Sequence, residues 1–421
     1  MIHLNYLREN ADFVIERLKI KNFDASNYVQ KILETDVKRR ETHKKLDDNL
    51  AEQNQIAKQI GILFKEKKID EAQNLKEKTA VLKTLAKDLE ELLVALEAET
   101  NELLVLLPNL PHSSVPTGRS AEHNEVVHSE GNTDASDYML PHWELCEKLN
   151  IVDFETGVKI TGSGFPLYKG KGARLQRALI NFFLDNAVDA GYVEVQTPYL
   201  VNEESAYATG QLPDKEGQMY YINEDNLYLI PTSEVSVTNI YRDTILKETD
   251  FPIKHCAYSA CFRREAGSYG KDVRGLNRLH QFDKIEIVCI EHPQNSYKML
   301  EEMKEHVASL LRKLELPFRI LRLCGGDMSF TSALTFDFEV FSKGQQKWLE
   351  VSSVSNFESF QANRLKLRFK SDGKPQLAHT LNGSALAIPR IVAALLENHQ
   401  TETHQICIPK ALIPYTGFEL I

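Results

Sequence analysis

Between Cys256 and Glu286 the chain sets cations, acids and the Phe282 ring at fixed spacings. Arg278, His280, Phe282, Lys284 and Glu286 occupy alternate positions, and strand pleating puts such residues on one face. Arg263 and Glu265 share a face just beyond the run Cys256–Phe262. Joining the two runs is the loop Ala266–Asn277, with glycines and two more cations, Lys271 and Arg274. The chemistry offered is recognition of a charged, flat ligand. Arginine forks onto phosphate or carboxylate, a phenyl ring stacks on a nucleobase, and a carboxylate receives an ammonium. A solvated face of an antiparallel sheet gives the same alternation, so the hairpin by itself leaves both readings open.

The surrounding elements must hold that hairpin. Residues 172–191 read as an amphipathic helix closed by Gly191, followed by a strand over Tyr192–Thr197 and then Pro198. Further short strands are expected at Gln218–Ile222, Leu227–Ile230, Leu279–Ile290, Phe318–Leu323, Leu334–Phe341 and Lys347–Val354. Helices between them are few and irregularly placed. The pattern predicts an α+β domain, an antiparallel sheet flanked by helices. Neither a G-x-x-x-x-G-K-[ST] loop nor a G-x-G-x-x-G turn occurs. Any nucleotide phosphates must therefore be held by side chains on the sheet.

The first quarter is built differently. All 15 prolines lie at Pro108 or later, and of 20 glycines only Gly61 precedes Gly118. Leu46, Leu50, Gln53, Ala57, Ile60 and Phe64 alternate four and three apart. So do Leu75, Lys78, Leu82, Leu85, Leu89, Leu92, Leu96, Glu99, Leu103 and Leu106. That period of about 3.5 residues predicts a coiled coil, with Gln53, Lys78 and Glu99 as polar interruptions that fix register. Only Lys65–Asp70 separates the runs, so the two helices fold back as an antiparallel hairpin. At about 35–40 residues each, they make an arm on the order of 50–60 Å long. Gln53–Lys87 holds eight lysines and four acids, whereas Asp88–Leu107 holds six acids and no base. Phosphate contact at the tip, solvated lysines and a dimerisation coiled coil all fit this pattern. The stretch Pro108–Pro116 is a proline-rich hinge, giving domains 1–107 and 108–421.

The chain has 421 residues, 42% hydrophobic and 26% charged, with a net charge of −10. That length suits two or three domains, and the balance is that of a soluble globular protein. The acidic total argues against indiscriminate nucleic-acid binding. The charged N-terminal segment is no signal peptide, and no run of about 20 apolar residues spans a membrane. The six cysteines show no C-x-x-C pair and no zinc spacing, as in a reduced, cytoplasmic protein.

The segment FRREAGSYGKDVRGLNRLHQFDKIE (Phe262–Glu286) resembles motif 2 of class II aminoacyl-tRNA synthetases, in the form found in seryl-tRNA synthetases. GARLQRALINFFLD with GYVEVQTPYLV resembles motif 1, and TGQLP (Thr209–Pro213) and PTSEV (Pro231–Val235) resemble substrate segments. EVSSVSN (Glu350–Asn356) and LNGSALAIPRIVAALLENHQ (Leu381–Gln400) resemble the motif 3 region, and the hairpin is similar to the tRNA-binding arm. The resemblance covers nearly the whole chain. It implies a homodimeric enzyme that activates L-serine with ATP and Mg²⁺ and charges serine tRNA through the arm. Selenocysteine tRNA is left open as a second acceptor, and the zinc-bearing subtype is not matched.

The same resemblance implies roles residue by residue. Arg263 would hold the ATP α-phosphate and the serine carboxylate, Glu265 and Phe282 would face the adenine, and Arg278 would reach the γ-phosphate. Arg390 would grip ATP, and Glu350 and Ser353 would contact Mg²⁺ and nucleotide as hard oxygen ligands. Strict alternation pairs Glu350 with Ser352, so Ser353 needs a bulge or strand end to join it. Arg264, Val351 and Ser352 would border ATP by backbone contact or adjacency, and Ser233 likewise the serine. Glu286, Thr232 and Glu234 would receive the ammonium and neighbouring groups, with Asn382 and Ser384 near the hydroxyl. His280 and Cys289 read as structural. Two rivals stay in view: loading of a carrier protein, and a catalytically inactive coiled-coil interaction protein.

Overall fold

The computed structural model describes residues 1–214, 216–265 and 274–421. These divide into two compact units, one of Met1–Lys19 and Phe23–Pro108, the other of Ile20–Asn22 and Asn109–Ile421. Among the described residues no helix is long and apolar enough to cross a membrane.

The first unit opens with helices α1 (Leu4–Glu9) and α2 (Ala11–Leu18) and continues into α3 (Ser26–Lys65) and α4 (Ile69–Val105). The long pair have 40 and 37 residues and pack along each other as the expected hairpin. The turn is closed at Lys67, whose φ of 59° reverses the chain. Asp70 and Glu71 then sit in the first turn of α4, where the helix dipole favours negative charge.

The seam is rotated from the expected one. From Thr42 onward α3 buries Thr42, Leu46, Asn49 and Ile56, and on α4 the buried positions are Ala72, Leu82, Ala86, Leu96, Thr100 and Leu104. Leu50, Phe64, Leu85 and Leu92 are exposed, and so are Lys78 and Glu99. Of the sixteen expected positions only Leu46, Leu82 and Leu96 are among the buried ones; elsewhere the helices bury small or polar residues and turn leucines outward. Two helices in close contact need small side chains opposite large ones, and counting leucines ignores that. Gln53 does lie in the seam. Its amide donates to Asn49 at 2.7 Å and across to the Leu82 carbonyl at 3.2 Å. Lys78 instead pairs with Glu52 on the surface, at 2.6 Å.

The second unit carries an eight-stranded sheet. Its strands in chain order are β1 (Glu125–Glu130), β2 (Val193–Glu194), β3 (Ile253–Phe262), β4 (Gln281–Glu291), β5 (Phe318–Arg322), β6 (Leu334–Ser342), β7 (Lys347–Glu358) and β8 (His379–Ala387). They lie in the spatial order β1-β5-β6-β7-β8-β4-β3-β2. All neighbours pair antiparallel except β2 with β3, so one edge departs from the expected antiparallel pattern. The strand expected over Tyr192–Thr197 shrinks to two residues. The edge strand β1 is absent from the expected set, because five of its six residues are exposed and none alternates with a buried partner.

Four helices matter for the site: α5 (His142–Lys148), α6 (Lys171–Asp189), α7 (Ser296–Lys313) and α8 (Ile388–Asn398). Helix α6 buries Leu175, Leu179, Phe182 and Phe183, and α8 buries Ile391, Val392, Leu395 and Leu396. Their helical spacing makes one apolar stripe on each, packed with the sheet residues Ile285, Ile287 and Val354 in a single core. With that face occupied by hydrocarbon, the polar side chains of β4, β7 and β8 are free to line a cavity.

Candidate active site

Strand β4 supplies the floor. Phe282, Lys284 and Glu286 all line one cavity of about 610 Å³, as their alternation requires. Arg278, Arg263 and Glu265 line it too, so the expected hairpin face is assembled. His280 is not part of it. Its ring stacks on Phe165 at 5.4 Å, and its Nδ1 lies 3.0 Å from the Tyr220 hydroxyl. Lys271 lies outside the described residues.

The cations are held apart by specific contacts. Arg263 lies over the Phe282 ring, 5.2 Å from its centroid, and its Nε donates to the Pro231 carbonyl at 3.3 Å. Arg278 pairs with Glu265 at 2.9 Å, and Glu265 takes a left-handed backbone with φ 49° where the chain leaves β3. Arg390, near the start of α8, donates to the Asn277 carbonyl at 3.1 Å and to the Glu350 carbonyl at 2.8 Å. Its guanidinium is also 3.5 Å from the Glu350 carboxylate. Three guanidinium groups thus surround one open space beside an aromatic face. That arrangement suits a base with a polyphosphate attached.

Strand β7 reaches the same cavity through a bulge. Glu350 pairs with Glu339 and Ser352 with Phe338, so Val351 is the extra residue. The bulge lets Glu350 and Ser353 both face the cavity, which strict alternation forbade. The Val351 side chain is buried, and Ser352 donates to the Ser384 carbonyl at 2.5 Å. Across from Ser353 stands Asp337 on β6, a residue absent from the expected set. Burial and the neighbouring Glu350 charge hold its carboxyl well above the usual range, and its buried Oδ1 has no hydrogen-bond partner among the described residues. The only signal for it in the sequence is a lone acid inside the apolar run Leu334–Phe338.

A smaller polar group lies deeper. Glu286 accepts from the Thr232 hydroxyl at 3.0 Å and pairs with the buried Lys284 at 2.5 Å. Glu234 accepts from Gln361 at 2.6 Å and from Asn382. Gln361 is oriented by Thr380, which donates to its Oε1 at 2.7 Å. Burial, aided by the charge of Glu286, pushes the Glu234 carboxyl up to about 7. Thr232, Asn382 and Ser384 line the cavity, with Ser384 directly opposite Glu286 on the neighbouring strand. Lys284 and Gln361 were not among the expected site residues. Lys284 shares the face of Phe282 and Glu286 and was visible there, whereas Gln361 sits on the short helix Ser359–Leu365 and no spacing betrays it.

Two expected residues stay outside. Arg264 points to the Tyr220 ring at 5.8 Å, and its backbone N–H bonds the Gln218 carbonyl at 2.8 Å. Ser233 is fully buried, with a hydroxyl lacking any hydrogen-bond partner among the described residues. Both sit beside lining residues in the chain, and adjacency explains why they were expected. Cys289 is buried in the core beneath the sheet, in the structural role expected of it.

Comparison with known proteins gives a consistent picture. Residues 219–399 match the family model of the tRNA synthetase class II core domain (G, H, P, S and T), and residues 1–111 match the seryl-tRNA synthetase N-terminal domain. A serine–tRNA ligase of Salinibacter ruber is 51% identical over 424 residues, spanning 100% of this chain and 99% of that protein. The Chlorobaculum parvum serine–tRNA ligase is 46% identical over 429 residues, spanning 100% of both. The crystal structure of seryl-tRNA synthetase from Pyrococcus horikoshii complexed with ATP has a TM-score of 0.94 at 32% identity, covering 100% of this chain and 99% of that one.

Proposed function

The chain belongs to the seryl-tRNA synthetase family, and from that premise we propose how its cavity divides the work. The activity is ATP-dependent activation of L-serine to seryl-adenylate, followed by transfer of serine to the 3′ end of serine tRNA. Carrier-protein loading and an inactive interaction protein are not favoured, since serine–tRNA ligases match end to end.

The observation that carries the division is the meeting of Arg263, Arg278 and Arg390 around one space beside the Phe282 ring. The adenine stacks on Phe282 with Glu265 at its edge, and the phosphates run past the three guanidinium groups. Glu286, Glu234 and Thr232 take the serine ammonium, and Asn382 and Ser384 take the hydroxyl. A pocket lined with such groups rejects alanine, because its polar atoms would be left unpaired. Arg263, between the two ligands, holds the serine carboxylate against the α-phosphate.

In the first step the carboxylate oxygen attacks the α-phosphorus in line, and the bond to the bridging oxygen breaks to release pyrophosphate. In the second, the terminal ribose hydroxyl of the tRNA attacks the adenylate carbonyl, and AMP leaves with the former carboxylate oxygen. No described side chain is placed as a nucleophile. Positioning and charge neutralisation by Arg263 and Arg390 carry the rate.

Magnesium fits the phosphate end of the cavity. Glu350 and Ser353 line it with oxygen donors of the kind Mg²⁺ prefers, and the buried carboxyl of Asp337 stands beside Ser353 on the neighbouring strand. Bound there, the ion would neutralise phosphate charge. Residues 1–107 act as the tRNA-binding domain, their exposed tip lysines meeting the RNA backbone, and residues 108–421 as the catalytic domain. The resemblance of residues 172–201 to motif 1 supports a homodimer.

Replacing Arg263 with Ala tests the assignment. Serine-dependent pyrophosphate exchange should fall by about 100-fold or more while circular dichroism stays unchanged. Near-normal exchange in a folded variant would sink it.

A further inference from the structure

Behind the nucleotide cavity lies a buried network that the chemistry above does not use. His142 and Glu397 are both fully buried, and His142 Nδ1 lies 2.6 Å from Glu397 Oε1. The same carboxylate accepts from the His142 backbone N–H at 2.8 Å, from the Gln345 amide at 2.8 Å, and from the Ser342 hydroxyl. Four donors among the described residues satisfy it, so the carboxylate is held in a fixed orientation.

The far side of the imidazole faces the stem of the loop that carries Arg278. His142 Nε2 is 2.8 Å from the Leu276 backbone nitrogen. A backbone N–H can only donate, so Nε2 is the bare nitrogen and the ring proton sits on Nδ1, towards Glu397. The fit is close: a Cβ on Gly275, where φ is +69°, would lie 2.2 Å from that Nε2. The neighbouring Arg274 guanidinium lies over the Trp143 ring at 4.9 Å. One residue further, Asn277 donates to Gln345 Oε1 at 3.2 Å and accepts from Arg390 Nε at 3.1 Å. Glu397 and Arg390 stand on the same helix, α8, two turns apart. Each holds the loop stem, one through His142 and the other directly.

We propose that His142, oriented by Glu397, is a positioning residue for ATP: it anchors Leu276, and with it the stem that continues through Asn277, so that Arg278 and Arg390 stand at the right separation for the phosphates. The proposal rests on the assignment of those two arginines to ATP. Serine is held elsewhere, by Glu286 and Glu234, so a loosened anchor acts on one substrate and spares the other.

The experiment is a pair of substitutions read by serine-dependent pyrophosphate exchange in the full-length protein. Asn at 142 keeps a donor near Nδ1 but loses the acceptor for Leu276. Gln keeps an acceptor near Nε2. His142→Asn is expected to raise the KM for ATP by about tenfold, the size of one buried backbone donor left unpaired, with the KM for serine within about twofold. His142→Gln should restore most of the ATP affinity. An unchanged ATP KM in folded His142→Asn, or an equal rise for both substrates, overturns the proposal. Should that variant fail to fold, Gln345→Leu removes the link to Asn277 and one of the donors to the Glu397 oxygen that orients the imidazole, so it loosens the same anchor. The same ATP-only rise is expected there, and its absence overturns the proposal equally. Arg278→Ala, measured alongside, separates the two levels of inference. A raised ATP KM there with none in His142→Asn removes only the anchor; no rise in either removes the nucleotide assignment and the anchor with it.

Discussion

Glu234 and Glu286 put two carboxyls into a buried pocket that already holds the Lys284 ammonium. Lys284 pairs with Glu286, so the unbalanced negative charge falls on Glu234, and burial together with Glu286 pushes that carboxyl up to about 7. The raised value favours the protonated form in the folded protein. Glu234 therefore contributes stability below the unfolded carboxyl range, and that contribution is lost as pH rises towards 7. A serine ammonium beside it prefers the ionised form, so binding must expel the proton. Serine affinity should fall as pH drops below about 7, by up to about tenfold per unit. Titration calorimetry at pH near 6, in buffers of different ionisation enthalpy, should show net proton release. Glu234→Gln should abolish that release, and release that persisted in the variant would place the titration elsewhere. Among single residues, those legible in the sequence were the ones that keep a period of two on a strand beside other polar groups, such as Phe282 and Glu286. Asp337 and Gln361 were not, because each acquires its place only when a neighbouring strand or helix is laid beside it.

Elements were legible where one physical signal dominates. Helix α6 and strand β4 follow their apolar periods to within two residues of expectation at each end, since each buries one face against the same core. The bulge at Val351 was visible only as a conflict, two oxygen-bearing side chains needed on one face at odd spacing. In the arm the period was right and the phase was not, because both candidate stripes contain leucines and only packing between α3 and α4 chooses one. The choice can be measured. Leu82 is 9% exposed and Leu85 is 46% exposed, three residues apart on one helix. Leu82→Ala should destabilise the arm by about 2–3 kcal/mol, and Leu85→Ala should change it by less than about 0.5 kcal/mol. Urea unfolding followed by circular dichroism gives both numbers. Equal costs would restore the leucine-counted seam.

At the scale of the whole molecule a net charge of −10 and a polyanionic partner are reconciled by where the charges stand. Every lysine between Lys58 and Lys87 is exposed, and Lys65, Lys67 and Lys68 crowd the turn that ends the arm. The acids gather on the returning helix from Asp88 onward, away from that turn. A chain-wide acidic excess weakens adhesion to any nucleic acid, while a local basic tip retains the short-range attraction that one partner needs. Reversing Lys65, Lys67 and Lys68 to Glu tests this with little risk to the fold, since all three are exposed and only Lys68 has an ion-pair partner, Glu66, among the described residues. Serine-dependent pyrophosphate exchange should be unchanged, because no tip residue lines the cavity. The KM for serine tRNA in charging should rise by about tenfold or more. Its dependence on salt should flatten by up to about three units of log–log slope, one for each phosphate that a lysine no longer neutralises. Unaltered charging at every salt concentration would mean that the lysines are merely solvated and that the arm grips its partner by some other face.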